Sequence, residues 1–364
     1  MSWQLLKTPV CKLGLAVAIA LATVAMHPTS GLASQASVPV QFRGGALWVT
    51  QLAPGQSGAE VVQQAASAGL HTVYLKAAEG ATPEPQFSAA LVSEMRVAGA
   101  TVCGWMFAVG TNPEAEAAAA VAAAQAGAQC LVVDAEGEYD SRYYPAQLFV
   151  HALRAQLGAS FPIGLASQAE VYEHPKFPYS VFLGPGAFNV VLPLMYWLDF
   201  GISVDAVYRD TMAANAIYGR PILPVGQLYG APTNAELLRF RALAHAYGTP
   251  GVSFFDLAAA APGQLPTLAS PLPALPRKQV LLPTVHASAD GDEIVQAQEL
   301  LNAAGAHLPV GGFFGAQTAK AVATFQARHH LSASGVLDAA TWKALLRFRP
   351  REPSWSTGPP DSAQ

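Results

Sequence analysis

Charge is what this sequence has least of. Asp, Glu, Lys and Arg make up 12% of its 364 residues, roughly half the share of an average soluble chain. The 20 basic and 24 acidic side chains leave a net charge of −4 and form no block of one sign. That excludes a nucleic-acid groove or a polybasic membrane patch and favours a neutral or sugar-like partner. Cysteine is nearly absent as well, with three in the chain, and no C-x-x-C pair exists to support redox chemistry. His71, His151, His174 and His245 lack ligand spacing, and the adjacent His329 and His330 cannot easily face one helical site, so neither a metal, a metal-dependent amidase nor a cofactor is expected. Beyond the N-terminal segment no apolar run reaches 18 residues, the length a membrane-spanning helix needs. With 52% hydrophobic residues, disorder over most of the length is excluded.

The first segment reads as an address. Lys7 and Lys12 precede an uncharged apolar run from Leu13 to Met26, then Pro28 and the small residues Gly31-Leu32-Ala33 and Ser34-Gln35-Ala36. This is the order of an export signal, assigned to residues 1–36. Cys11 lies before the run, where a lipid-attachment cysteine would follow it. The expected location is secreted, periplasmic or cell-wall associated, with no membrane contact after signal removal. Cys103 and Cys130 would remain, and one disulfide or two buried thiols both stay open for them.

From residue 40 to 261 an apolar run recurs every 25 to 30 residues or so, each followed by a helix-like stretch: Leu47-Trp48-Val49, Thr72 to Leu75, Thr101 to Trp105, Cys130 to Val133, Pro162 to Leu165, Val190 to Met195, Ile222 to Val225 and Gly251 to Phe255. Eight continuous runs alternating with helices predict a closed parallel sheet, a (β/α)8 TIM-type barrel. A doubly wound open sheet competes, but no glycine-rich phosphate turn follows the first run. The Ala-rich stretch from Glu114 to Ala126 predicts a helix packed closely on the barrel. Prolines then break up residues 262–289, read as a semi-rigid linker. Residues 290–348 carry helical spacing and predict a small all-α, three-helix domain; residues 349–364 read as a disordered tail.

In such a barrel the active face lies at the C-terminal ends of the strands, so the polar residues closing each run are the site candidates. The fourth run closes with Asp134-Ala135-Glu136-Gly137-Glu138. Strand alternation turns Asp134 and Glu136 to the same side, and two carboxyls one pleat apart raise each other's pKa, as a general acid requires. Gln51, Lys76, Glu79, Trp105, Glu138, Gln168, Tyr196, Trp197, Asp199, Gln227, Tyr229 and Asp256 close the other runs or flank this one. Aromatic faces and amides are sugar-binding chemistry, and their convergence on one rim is the argument for a glycan site.

Two stretches add resemblances. Val295 to Gly305, Gly312-Phe313-Phe314-Gly315, Ala321 to Gln326, Gly335-Val336 and Thr341 to Leu345 resemble the peptidoglycan-binding type 1 domain over its full length, which implies glycan strands of peptidoglycan as partner. Gly311 stands where that family often carries Asp. Val73 to Gly80, Gly99 to Trp105 and Asp134-Ala135-Glu136 resemble the family-25 glycoside hydrolases, which are muramidases. That likeness implies Glu136 as general acid, Asp134 beside it, and Asp256 as an acidic residue near the last strand. The family carries Asp at the end of its first strand, whereas this chain has Val49-Thr50-Gln51. Either Asp134 and Glu136 then work by substrate assistance, through the sugar's own N-acetyl group, or the barrel only binds glycan.

Overall fold

Apolar runs covered on both faces become parallel strands. In the computed structural model, which describes residues 38–357, these are β1 (Gly44–Val49), β2 (Thr72–Glu79), β3 (Thr82–Pro83), β4 (Thr101–Ala108), β5 (Leu131–Ala135), β6 (Ile163–Gln168), β7 (Val190–Leu194), β8 (Val225–Gln227) and β9 (Gly251–Phe255). The short β3 folds back antiparallel on β2; the other eight run parallel, and pairing of β9 with β1 closes the barrel. All eight expected runs thus become strands. The seventh is displaced, because Pro221 and Pro224 lack the N–H a ladder needs: only Ile222 bridges Val191 before β8 begins. The expected export signal, residues 1–36, lies outside the described residues.

The helices α1 (Gly58–Ser67), α2 (Ala89–Val97), α3 (Pro113–Gln125), α4 (Tyr143–Leu157), α5 (Tyr179–Phe182), α6 (Val204–Asn215), α7 (Asn234–Tyr247) and α8 (Gln264–Leu268) surround the strands. Capping boxes at Ser57/Glu60 and Thr233/Glu236 start α1 and α7, satisfying backbone donors that no earlier turn can accept. Ala117, Ala120 and Ala123 of α3 are buried. A β-carbon on Gly104 would lie 3.1 Å from that of Ala123, so small side chains on both elements allow the close approach.

Alternation along each strand separates two cores. Leu47, Val73, Leu131 and Val133 face the helices, while Trp48, Tyr74, Trp105, Val132 and Leu192 fill the barrel interior, with Phe42 closing it from the N-terminal side. Cys103 and Cys130 also point inward and are joined in a disulfide, their Cα atoms 4.6 Å apart on neighbouring strand positions. The cross-link closes a loop of 27 residues, worth about 3 kcal/mol in the chain-entropy account. The Cys103→Ala/Cys130→Ala protein is expected to unfold at a correspondingly lower urea midpoint; an unchanged midpoint would show that the bridge contributes no stability.

The small domain consists of α9 (Asp292–Ala303), α10 (Ala316–Arg328) and α11 (Ala339–Leu345) around buried Leu301, Val322, Phe325, Trp342 and Leu345. Two glutamines fasten its loops. Gln298 accepts from the Gly311 and Gly312 amides, both at 3.0 Å, and donates to the Phe313 carbonyl. Gln326 accepts from Gly335 N at 2.9 Å and donates to the Val336 carbonyl and the Thr341 hydroxyl. These side chains do for the loops what backbone ladders do elsewhere.

Barrel and small domain lie within one compact unit, and the stretch between them is packed where a linker was expected. Within it, α8 takes the eighth helix position against α1 and α7, so the barrel continues past 261 to Leu268. Arg241 donates to the Ser270 carbonyl and Lys278 N to the Ala246 carbonyl, each at 2.9 Å. At the seam, Asp292 opens α9 fully buried and accepts from Ser180 N at 2.8 Å and Ser180 Oγ at 2.6 Å. Gln296 donates to the Ile217 carbonyl at 3.2 Å. Glu299 is fully buried, and its two carboxyl oxygens find no hydrogen-bond partner among the described residues. The stretch after Arg349, expected to be disordered, is ordered as far as it is described: Trp355 is buried against Tyr143, its amide donates to Gln147 Oε1 at 3.0 Å, and Gln147 donates to Glu352 at 2.9 Å. An aromatic anchor and a buried amide hold it, which a Pro- and Ser-rich composition does not reveal.

Candidate active site

The strand ends converge as a TIM-type barrel requires. Asp134, the penultimate residue of β5, points into the barrel with Cys130 and Val132 below it, is 7% exposed, and its Oδ1 meets no partner among the described residues. Glu136 follows one pleat later, half-buried, and accepts from Gln168 Nε2 at the end of β6 at 2.6 Å. Glu138 is exposed two residues further out. Burial first, then Glu136 and Glu138, hold the Asp134 carboxyl well above the usual range, with Lys76 opposing. The Glu136 carboxyl is raised by burial and by Glu138, against the pull of His174 and Gln168. Burial and neighbouring carboxylates thus both favour the protonated form of these two groups.

An aromatic wall faces them. Trp105 donates to the Val49 carbonyl at 3.2 Å and packs with Trp48 and Phe255 at ring separations of 5.5 and 6.2 Å. Tyr196 lies 5.3 Å from Tyr229 and 6.1 Å from Phe255; burial first, then Asp134, holds the Tyr196 hydroxyl well above its usual range. The Tyr229 hydroxyl donates to Asp199 Oδ2. Lys76 Nζ sits 2.6 Å from Glu79 and 3.3 Å from Glu84, and 5.5 Å from the centre of the Trp105 ring. Gln51 is exposed in the loop after β1.

Three candidates are employed elsewhere. Trp197 is fully buried on the helix side, stacked on Phe240 at 5.3 Å with its Nε1 donating to Glu236; it lies beyond the end of β7, where strand alternation no longer sets direction. Gln227 is fully buried and spans two loops, accepting from Leu198 N at 2.9 Å and donating to the Tyr229 carbonyl. Asp256 accepts from Ala259 N at 3.1 Å as the cap of a short 3-10 turn, so one of its oxygens is engaged. Conversely, Phe255 occupies the centre of the aromatic wall, and Glu84 and His174 reach the site from loops. Phe255 was legible as the last residue of its run; His174 had no sequence signal. Among the described residues no cluster of three or more His, Cys, Asp or Glu could hold a metal ion, and no helix is long and apolar enough to cross a membrane.

Residues 290–345 match the family model described as "Putative peptidoglycan binding domain". The small domain carries the peptidoglycan-binding signature. The chain is similar to a peptidoglycan-binding protein from Clostridioides difficile, with 34% identity across 18% of this chain and 41% of that one and a TM-score of 0.18. The chain is also similar to a chitinase from Chromobacterium violaceum, with 14% identity over 62% of this chain and 98% of that one and a TM-score of 0.48. It is likewise similar to the spore cortex-lytic enzyme SleL of Bacillus cereus, at 11% identity over 62% and 73% and the same TM-score. No curated protein matches the chain. These likenesses assign no activity to the barrel, and none of the three singles out the family-25 hydrolases.

Proposed function

We propose that this protein is a hydrolase of cell-wall glycan, acting on peptidoglycan and held to it by the domain at residues 290–345. The observation that carries this reading is the pair of carboxyls, buried Asp134 and half-buried Glu136, at the C-terminal mouth of the barrel, in a chain that also bears a peptidoglycan-binding signature. Glu136, the more exposed carboxyl, gives its proton to the leaving glycosidic oxygen as that bond breaks. Asp134 orients the acetamido group, whose oxygen attacks its own anomeric carbon. Water then opens the resulting ring and returns a proton to Glu136. Tyr196, Tyr229 and Phe255 offer ring faces to the sugar with Trp105 buried behind Phe255, and Gln51, Lys76, Glu79, Glu138, Gln168 and Asp199 line the rim as polar contacts. The bond cut is the one a muramidase cuts, and the site of action is the cell wall outside the membrane.

A second reading has its own support. With Gln51 after the first strand and one oxygen of Asp256 engaged as a cap, the acidic set is small, as a barrel that only binds glycan would have it. Incubation with purified peptidoglycan separates the two readings. A hydrolase releases soluble muropeptides with new reducing ends, identified by mass spectrometry; a binding protein sediments with the insoluble wall and releases nothing.

A further inference from the structure

His174 is 38 residues from Glu136 in sequence but adjacent to it in space. The β6–α5 loop brings its ring over Gly137, where a β-carbon would lie 3.1 Å from His174 Cε1 and 3.4 Å from Nδ1. Position 137 is therefore kept bare under the imidazole. The ring is fixed from the other side: Nδ1 lies 2.9 Å from Asp140 Oδ2, in a pair that is only partly exposed. Asp140 itself ends the short 3-10 turn Gly137–Tyr139 that Glu136 starts. One turn of chain thus carries the proton donor at its head and the anchor of the imidazole at its tail. Among the described residues, the other titratable groups that interact with Glu136 are acidic or phenolic: Asp134 on β5, Glu138 in the turn, Tyr179 on α5, and Tyr196 and Tyr229 after β7 and β8. Gln168 on β6 is neutral. Lys76, the remaining cation of the mouth, acts on Asp134 and is engaged by Glu79 and Glu84.

We infer that His174, held by Asp140, is a positioning residue for Glu136: packed on Gly137 and tied to the far end of the turn that Glu136 opens, its imidazole fixes how that turn presents the Glu136 carboxyl. The inference rests on Glu136 being the proton donor only for its kinetic consequence. A protonated imidazole favours the ionised carboxylate, and His174 opposes the upward push of burial on Glu136. Removing it leaves burial and Glu138 unopposed, so Glu136 holds its proton to higher pH.

The test compares wild type with His174→Gln, His174→Lys, Asp140→Asn and Glu136→Gln in the full chain. Carbon-13 NMR of glutamate-labelled protein follows the Glu136 carboxyl, assigned by its disappearance in Glu136→Gln; this readout is independent of turnover. Its midpoint is expected to rise by about 0.5 to 1 pH unit in His174→Gln, to rise less in Asp140→Asn, and to return toward wild type in His174→Lys. On peptidoglycan, the high-pH limb of the rate profile should move upward with it. An unmoved midpoint in His174→Gln overturns the inference, even if Glu136→Gln is inactive and the hydrolase reading stands. A moved midpoint in a protein that releases no fragments upholds the coupling and overturns the hydrolase reading instead.

Discussion

Glu136→Gln is expected to lower the rate of fragment release from peptidoglycan at least 100-fold, the lower end of what a positioned general acid contributes and equivalent to about 2.7 kcal/mol of transition-state stabilisation. The amide matches the carboxyl in shape and can still meet Gln168 after a flip of either amide group, but it has no proton to give the leaving oxygen. The fold should be untouched. Glu136 is half-buried and its carboxyl is raised by burial and by Glu138, so a neutral amide there relieves repulsion and the thermal midpoint should stay level or rise slightly. Sedimentation with the insoluble wall should persist, because the peptidoglycan-binding domain is unchanged. Full activity in this variant would remove Glu136 from the mechanism.

The largest stability effect is expected at the seam between the two domains. Asp292→Ala strips the acceptor from Ser180 N and Oγ, both buried, and opens a void beside Ser180 in the seam. Each orphaned donor costs about 1 to 3 kcal/mol, so a loss of about 3 to 5 kcal/mol is expected from chemical unfolding. The same residue gives the seam a pH dependence. Burial pushes the Asp292 carboxyl up to about 6 from its ordinary value of 3.8, against the hydrogen bonds from Ser180. A carboxyl raised on folding contributes stability that is fully present below the unfolded value and is lost as the pH rises through the folded one. Between about pH 4 and 6 that loss approaches 3 kcal/mol by linkage. Glu299, raised by burial and by Asp292 and Glu352, pulls in the same direction. The checking measurement is the stability difference between wild type and Asp292→Asn across this range, which cancels the other titrating groups. The asparagine protein should gain on wild type as the pH rises; a flat difference would mean that Asp292 is not raised.

The barrel could be read from the sequence because its strands carry short apolar runs with little polar alternation, rich in Val, Leu and aromatic residues, since helices cover one face and the interior core the other. Asp134 and Glu136 were legible because two residues is the strand period and the interior side at Val132 was already assigned. Direction was lost as soon as a strand ended, which is why Trp197, three residues past β7, was placed at the rim while it packs on Phe240. Gln227 was misjudged for a different reason, since a buried amide that ties loops together has the same letter as one that binds sugar. Phe255 closes its run as an apolar residue, so a strand-end rule based on polar groups passes over it although it ends β9 at the rim. Pro-rich composition removed helices and strands from the linker but says nothing of packing, so α8 and the buried Trp355 had no advance sign.

The seam also bears on how such a chain could be rearranged. Residues 290–345 match a compact family model, yet here the first helix of that segment presents Asp292, Gln296 and Glu299, all buried against this barrel. Moved onto another partner, the helix would bring an unpaired carboxyl and an unsatisfied amide to a surface shaped for neither. A cut at residue 261 would in turn take α8, Trp355 and the cover of Tyr143 away from the barrel. The two parts are therefore matched to each other, and the small domain is not an interchangeable cassette.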